Sequence, residues 1–381
     1  MCIRDRYTPS PLPDDQYYQS GSQWGFNKIK ADNAFNNNLI DANKDKLIIV
    51  AVLDTGLNKN HPDIAGMTIT GRNILNPSAE PLDDGEDIGH GTFVASIIAA
   101  NTNNTIGIAG TAYLNSTWTA KVRIMPVKVL NAKGEGNDSD IYAGILWAVQ
   151  NGARILNMSF GGADEGITLK EAIEYAVDRG VFISAATGND GTDTYFPAAY
   201  PEVVAVAASD INDNHAYFSN KGKVDLTAPG VNITGCTKSG GYAIDSGTSF
   251  AAPFVSGAAA LLFLRYDNLT SEDARKILQQ TADDIENTGY DILTGWGRIN
   301  IYRALKKDYN EINEIKTYNW PNPFSPKKDR YTNITFVLTE KEDVEIKIYD
   351  SGGFLVWKRE IKKEELPDNG YIYSVKWDGK N

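Results

Sequence analysis

A serine lies among small residues directly before an apolar segment in the stretch "DSGTSFAAPFVSGAAALLFL", residues 245 to 264. Serine before an apolar run is a common helix N-cap, and Pro253 would then fall within about the first helical turn. The surrounding glycines and alanines, however, would leave Ser249 uncovered and open to another backbone. The free N–H groups of a helix N-terminus also suit an oxyanion. Ser249 is therefore a candidate nucleophile, provided that the chain supplies a base.

The chain contains three histidines, so the candidates for that base are few. His61 lies in "NHPD" and His215 in "DNHAYFS", whereas His90 is flanked by glycines in "DIGHGTFVASIIAA" and is the least crowded. Asp54 directly follows an apolar run, a position from which a carboxylate can fix the tautomer of an imidazole. The order Asp54, His90, Ser249 is one of the three known chain orders of a catalytic triad. This combination predicts nucleophilic catalysis.

Five apolar runs would position these side chains: "LIIVAVLD", "RIMPVKVL", "ARILNMS", "GVFISAAT" and "VVAVAAS". Their continuous hydrophobicity is typical of parallel strands buried on both faces. Helices are predicted between them, one starting after Ser139 and ending at Gly152, another with a capping box from Thr168 to Glu171 and a stop at Gly180. We therefore predict a doubly wound, mainly parallel α/β sheet with its functional residues at the carboxyl ends of the strands.

The composition argues against two classes of partner. The 381 residues include 37 basic and 49 acidic side chains, a net charge of -12, which disfavours binding to a phosphate backbone and hence to nucleic acid. The longest apolar run, residues 250 to 264, is interrupted by Pro253 and Ser256 and is too short to span a bilayer. We expect this run to be a buried core helix.

Four motifs together resemble those of the subtilisin-like serine proteases: "VAVLDTG", "GHGTFVAS", "SAATGND" and "GTSFAAPFVSGAAALL", in that order. The resemblance implies that Asp54 orients the imidazole, that His90 is the general base and that Ser249 is the nucleophile. It also implies that the Asn189 side-chain amide and the Ser249 backbone N–H bind the oxyanion. The segment "PDDQYYQSGSQWGFNKIKA" is similar to the N-terminal segment of the thermitase-like branch. The expected activity is endoproteolysis through an acyl-enzyme intermediate.

The same resemblance implies a substrate site for an extended peptide that binds as an added strand. One side of the specificity pocket would be the motif "NMSFGG", and the other side would follow the next strand. A second binding edge would sandwich the peptide. The implied residues are Leu130, Gly134, Glu135 and Gly136 at the second edge, Ser159, Phe160 and Gly161 on one pocket wall, and Ala185, Ala186, Thr187 and Gly188 on the other.

A structural calcium ion is also implied by the resemblance, because "TNNTIGIAG" is similar to the calcium loop of the family. The side chain of Asn104 and the carbonyls of Thr102, Ile106 and Ile108 would be ligands. Asp63, in "HPD", and Asp15 would complete an oxygen shell of the kind that a hard cation prefers.

The chain departs from the family pattern at a few positions. Phe250 stands where the family often has Met, and Phe93 where it often has His. Tyr195 stands at the expected base of the pocket, where many relatives have a smaller residue, and we expect it to shorten the pocket. An acidic run at residues 83, 84, 86 and 87 is interpreted as a solvated loop, with a weaker second calcium site as the alternative.

The sequence predicts four segments. Residues 1–6 resemble a translated sequencing adapter and are treated as an artefact, so Cys236 remains without a cysteine partner. Residues 7–308 are expected to form the peptidase domain and 309–320 a linker. Residues 321–381 have alternating strands, such as "VEIKIYD", and resemble a truncated all-β sandwich module of the type IX secretion sorting kind. A secreted or cell-surface bacterial monomer is expected, lacking its signal peptide and an N-terminal prodomain in this sequence.

Two other functions are alternatives to proteolysis. A catalytically silent, protease-like domain could bind peptides or act as an adhesin, but an intact triad and Asn189 argue against this. An α/β-hydrolase esterase would need a G-x-S-x-G elbow and the order Ser, Asp, His, and the chain has neither.

Overall fold

The computed structural model describes residues 12–36, 39, 46–86, 88–112, 121–307, 318–320, 332–337, 343–349, 355–366 and 372–379. The chain divides into two compact units, residues 1–309 and 310–381. The predicted artefact at residues 1–6 lies outside the described residues, as do Asp87 and most of the predicted linker.

A seven-stranded parallel sheet forms the centre of the first unit, in the order β2-β3-β1-β4-β5-β6-β7. The predicted α/β class with a mainly parallel sheet is confirmed, and the five apolar runs all form strands. The strands are β1 Ile48–Asp54, β2 Arg72–Asn73, β3 Val122–Lys128, β4 Ile155–Met158, β5 Phe182–Ala186, β6 Val204–Ser209 and β7 Leu226–Pro229.

Helices cover the sheet because its central strands are apolar on both faces. Helices α4, His90–Ala99, and α7, Thr248–Arg265, pack against each other and the sheet. Helices α5, Asp138–Gln150, and α6, Ile167–Val177, form a second packed pair. The chain begins with the short helices α1 Gln16–Gln19, α2 Trp24–Lys28 and α3 Ala31–Asn36. An antiparallel hairpin, β8 Ile233–Cys236 and β9 Tyr242–Asp245, precedes α7, and α8 Ser271–Thr281 and α9 Ile301–Lys306 follow it.

Two predicted helix caps are wrong. Helix α5 begins at Asp138, before Ser139, and its N-cap Asn137 makes no side-chain cap bond. Helix α6 begins at Ile167, so Thr168 lies inside the first turn and its side chain cannot cap the helix. The N-cap of α6, Gly166, lies against the carboxylate of Asp138 in the neighbouring helix, where a Cβ would collide with that carboxylate.

Helix α7 is the buried core helix that the apolar run predicted. Among the described residues it is the one helix with the length and hydropathy of a membrane span, and 94% of its apolar window is buried inside the protein. The sequence predicted Pro253 in the first turn of this helix. The helix begins at Thr248, so Pro253 lies in the second turn.

The second unit contains antiparallel strands. Strands β10 Tyr318–Trp320, β11 Thr332–Val337 and β14 Ile372–Trp377 form one sheet, and β12 Val344–Tyr349 and β13 Leu355–Ile361 form a hairpin. Ile361, Leu366 and Val375 form a small apolar cluster that joins them. Residues 318–320, which fall within the predicted linker, pair with β11 through backbone hydrogen bonds.

Candidate active site

Asp54 and His90 meet at the carboxyl edge of the parallel sheet. Asp54 is the last residue of β1 and is fully buried, and His90 is the first residue of α4. The imidazole Nδ1 lies 2.8 Å from Asp54 Oδ1 and 3.0 Å from Oδ2. Asp54 Oδ1 also accepts the Thr55 N–H at 2.7 Å. Since a carboxylate can only accept, His90 carries its proton on Nδ1, which leaves Nε2 available as a base.

Ser249 is the second residue of α7, whose N-cap is Gly247, so Ser249 does not cap the helix. Two reciprocal hydrogen bonds fasten it to the end of β4. The Ser249 hydroxyl donates to the Ser159 carbonyl at 3.0 Å, and the Ser159 hydroxyl donates to the Ser249 carbonyl at 2.7 Å. The Ser249 carbonyl has no helical partner, because the residue four positions later, Pro253, has no N–H to donate. The Ser159 hydroxyl takes the place of that donor.

Phe250 links the nucleophile's helix to the imidazole. Its ring centroid lies 5.7 Å from that of His90 and 4.4 Å from that of Phe93, and both phenylalanines are buried. Phe250 and Phe93, which both depart from the family pattern, therefore contact each other. They bring the N-terminal ends of α4 and α7 together, so that His90 and Ser249 lie on adjacent helices.

The Asn189 side chain follows β5 and is held by Thr248, the first residue of α7. The Thr248 N–H and the Thr248 hydroxyl both donate to Asn189 Oδ1, each at 2.9 Å. The Thr248 hydroxyl in turn accepts the Gly188 N–H at 3.2 Å. With its oxygen occupied by donors, the amide presents its nitrogen next to Gly247, beside the nucleophile.

The predicted pocket walls are adjacent because β4 pairs with β5, with Met158 opposite Ala185. Tyr195 lies beside both walls. Its N–H donates to the Thr187 carbonyl at 2.9 Å, and its side chain packs against the backbone of both Gly161 and Gly188. The chain then continues into Phe196, which exchanges two 2.9 Å backbone hydrogen bonds with Gly162.

The predicted second edge is a tight turn after β3. Leu130 is buried and packs against Gly136, while Gly134 and Glu135 are exposed. Asn131 closes the turn through its N–H, which donates to the Glu135 carbonyl at 2.8 Å.

Comparison with known proteins agrees with this geometry. A sequence profile of the subtilase family matches residues 45–297. The chain belongs to the subtilase family. It is 40% identical over 295 residues to a thermophilic serine proteinase from Bacillus sp. (strain AK1), covering 77% of this chain and 69% of that protein. It is 38% identical over 298 residues to thermitase from Thermoactinomyces vulgaris, covering 77% and 99%, and 38% identical over 285 residues to subtilisin Savinase from Lederbergia lenta, covering 74% and 98%.

These relatives place this subtilase among the serine endopeptidases, which are hydrolases that act on proteins and peptides. The roles of the individual side chains stay predictions, and their geometry is what the structure adds. The other two histidines of the subtilase have different surroundings. His61 Nε2 donates to the Gly241 carbonyl at 2.9 Å and its Nδ1 accepts the Asp63 N–H, and burial lowers the pKa of both His61 and His215.

The predicted calcium residues lie together in the subtilase. Asp15 and Asp63 are fully buried, and burial raises their carboxyl pKa values to about 6 and about 7. Within the described part of the chain Asp15 Oδ1 has no hydrogen-bond partner, while Asp63 Oδ2 accepts the Ile108 N–H at 2.9 Å. Asn104 presents its amide nitrogen, not its oxygen, to Asp63 Oδ1 at 2.8 Å.

The remaining predicted ligands belong to the same loop. The Thr102 hydroxyl accepts the Gly110 N–H at 3.0 Å, and the Ile106 N–H donates to Asn104 Oδ1 at 3.1 Å. The described residues hold no cluster of three or more His, Cys, Asp or Glu side chains suited to a metal.

The interpretation of the acidic run as a solvated loop is wrong for Asp83. Its carboxylate accepts hydrogen bonds from Thr55, Gly85 and Thr92. Asp84 is 59% exposed but pairs with buried Lys128 at 2.6 Å. Sequence reasoning missed Asp83, Thr248 and the hydroxyl of Ser159 as contributors to the site, because Thr55, Asn189 and Ser249, with which they bond, lie 28, 59 and 90 positions away.

Proposed function

We propose that the subtilase hydrolyses peptide bonds through Ser249, His90 and Asp54, with Asn189 binding the oxyanion. The observation that carries this proposal is the pairing of buried Asp54 with His90 Nδ1 next to the N-terminus of the helix that bears Ser249. A serine hydroxyl is a weak nucleophile by itself and needs a base oriented by a third group.

The reaction begins when the Ser249 hydroxyl turns from the Ser159 carbonyl towards His90 Nε2. His90 accepts the hydroxyl proton as Ser249 Oγ bonds to the substrate carbonyl carbon, and Asp54 stabilises the imidazolium. The carbonyl oxygen becomes an anion that accepts hydrogen bonds from the Asn189 amide and the Ser249 N–H. The imidazolium then protonates the leaving amine, which departs and leaves an ester on Ser249. Water activated by His90 hydrolyses that ester and restores the enzyme.

The substrate would bind as an extended strand between the edge at Leu130 and Gly134–Gly136 and the edge at Ser159–Gly161. The side chain before the scissile bond would enter between that second edge and the wall from Ala185 to Gly188. The position of Tyr195 against the backbone of both walls supports a short pocket that disfavours large aromatic side chains.

We propose that the loop with Asp15 and Asp63 binds a structural Ca²⁺. Two buried carboxylates whose pKa values are raised, one with an orphaned oxygen, fit a hard cation that needs oxygen ligands. Asn104 would join them after a flip of its amide, which would exchange its nitrogen for its oxygen. The carbonyls of Thr102, Ile106 and Ile108 would complete the shell. The ion would neutralise the two carboxylates and tie the N-terminal segment to the domain.

The other assignments are part of the same proposal. The peptidase domain would comprise residues 7–308, a linker residues 309–320, and residues 321–381 would be a sandwich module of the sorting type. We also propose a secreted or cell-surface monomer made with a prodomain, and secretion is supported by the resemblance of residues 321–381 to the sandwich modules of bacterial secreted proteins.

Labelling with a fluorophosphonate tests the proposal, because this reagent reacts with a serine only when a base activates it. The wild-type protein should be labelled at Ser249 and should cleave a peptide library, whereas Ser249→Ala should lose both properties and keep its melting temperature. Ser246→Ala is the matched control, since this exposed serine is three residues away and its hydroxyl accepts the Asn232 N–H. A folded wild-type protein that neither reacts nor cleaves would instead be a silent peptide-binding domain.

A further inference from the structure

Helix α4 carries His90 at its first position, and its own sequence provides no cap. The N-cap is Gly89, with φ 88°, and the first turn contains no acidic residue. The first N–H groups of a helix have no partner within the helix and need acceptors from elsewhere. The acceptors for two of them come from outside α4. The Gly91 N–H donates to the Thr55 hydroxyl at 3.0 Å, and the Thr92 N–H donates to Asp83 Oδ2 at 2.8 Å.

The Asp83 carboxylate uses both of its oxygens in this arrangement. Oδ2 also accepts the Thr92 hydroxyl at 2.6 Å. Oδ1 accepts the Thr55 hydroxyl at 2.9 Å and the Gly85 N–H at 3.2 Å. A single side chain thus holds the N-terminus of α4 on one side and Thr55, at the end of β1, on the other.

Thr55 extends this connection to the catalytic carboxylate. Its hydroxyl donates to Asp83 and accepts from Gly91, so the rotation of the hydroxyl is fixed, and its backbone N–H donates to Asp54 Oδ1 at 2.7 Å. The fit between helix and strand is tight, because a Cβ on Gly91 would collide with the carbonyl oxygen of Gly56. Asp83 is therefore connected to Asp54 through Thr55, and to the first turn of the helix that begins with His90 through Thr92.

The segment that bears Asp83 is itself fastened to the sheet. The next residue, Asp84, pairs with the Lys128 ammonium at 2.6 Å. Lys128 is buried and also donates to the carbonyls of Thr55, at 2.6 Å, and Leu130, at 2.9 Å. The position of the Asp83 carboxylate is thus set by the ends of β1 and β3 and does not depend on a freely moving loop.

We propose that Asp83 is a positioning residue for His90: its carboxylate caps α4 from outside and fixes the imidazole relative to Asp54 and Ser249. The inference rests on the proposed function, since it concerns the geometry of that triad. Misplacement of a reacting group by about 1 Å can reduce the rate by roughly 100-fold. Loss of Asp83 should therefore act on kcat, because the peptide-binding edges do not involve this carboxylate.

The test compares Asp83→Ala and Asp83→Asn with Glu86→Gln. Glu86 is an exposed acid of the same segment, and its replacement removes the same charge. The number of competent sites in each protein is first counted from the burst of an active-site titrant, so that unfolded molecules do not enter the rate. We expect Asp83→Ala to lower kcat per titrated site about 10- to 100-fold with KM nearly unchanged. Glu86→Gln should match the wild type.

Asp83→Asn provides a graded variant and remains informative if the alanine variant does not fold. An asparagine can still accept from Thr92 through its oxygen, but it cannot accept from both Thr92 and Gly85. Its kcat should lie between those of the wild type and the alanine variant. Wild-type kcat per site in a folded Asp83 variant, a change in KM alone, or an equal loss in Glu86→Gln would overturn the inference. An inactive wild-type protein that is not labelled at Ser249 would instead refute the proposed function.

Discussion

Replacing Asn189 with alanine and with aspartate separates transition-state binding from structural support. The side chain has two halves with different partners: its oxygen accepts from Thr248, and its nitrogen lies beside Gly247. Only the nitrogen can donate to an oxyanion. The alanine variant loses both halves, so it should lose both rate and stability.

The two losses have different magnitudes. Removal of one oxyanion donor costs about 2.7–4 kcal/mol of transition-state stabilisation, which corresponds to a roughly 100- to 1,000-fold lower kcat. KM should change little, because the anion exists mainly in the transition state. Thr248 is fully buried, and its N–H would lose its acceptor. An unsatisfied buried donor costs about 1–3 kcal/mol, so the free energy of unfolding should fall by that amount.

Asn189→Asp is the matched variant, because a carboxylate still accepts from Thr248 but has no donor for the oxyanion. An anion near the N-terminus of α7 is also favourable for the helix. We therefore expect a melting temperature at or above that of the wild type, together with a kcat at least as low as that of Asn189→Ala.

The assay is steady-state cleavage of a chromogenic peptide, with sites counted by burst titration and stability measured by urea unfolding. Wild-type kcat in Asn189→Asp would refute the donor role of the amide. A loss confined to KM in both variants would assign Asn189 to substrate binding. Equal destabilisation of the two variants would contradict the contacts with Thr248.

Three further predictions concern other parts of the subtilase. Chelation of calcium should lower the melting temperature with little change in the initial rate in the cold. An ion held at 1,000 times its Kd stabilises by roughly 4 kcal/mol, and Asp63→Ala should abolish this dependence whereas exposed Asp164→Asn should not. Tyr195→Gly should increase cleavage after Phe and Tyr in a peptide library, and an unchanged profile would mean that Tyr195 does not limit the pocket. Burial raises the pKa of Glu272 to about 7 from 4.5, so the folded state holds this proton more tightly than the unfolded state and stability falls as pH rises through that window. Glu272→Gln should therefore raise the melting temperature at pH 8 but not at pH 4, and an equal effect at both values would exclude titration as the cause.

The sequence by itself determined the sheet and the positions of the reactive side chains. A continuous apolar run is typical of a strand that is buried on both faces of a parallel sheet. The runs therefore predicted the bounds of β1 and β5 within a few residues. Asp54 ends β1 and Asn189 follows β5, so their place at the carboxyl edge required no tertiary information. The buried state of α7 likewise followed from its composition.

The tertiary structure decided how the reactive groups are held. The reciprocal bonds between Ser159 and Ser249 join residues 90 positions apart, and the bond from Thr55 to Asp83 spans 28 positions. The start of α7 at Thr248, one residue before the nucleophile, depends on an acceptor supplied by Asn189. Local sequence patterns record the preferences of neighbouring residues. A buried N–H or hydroxyl, by contrast, takes whichever acceptor the folded chain brings within reach, and that acceptor is known only once the strands and helices have packed.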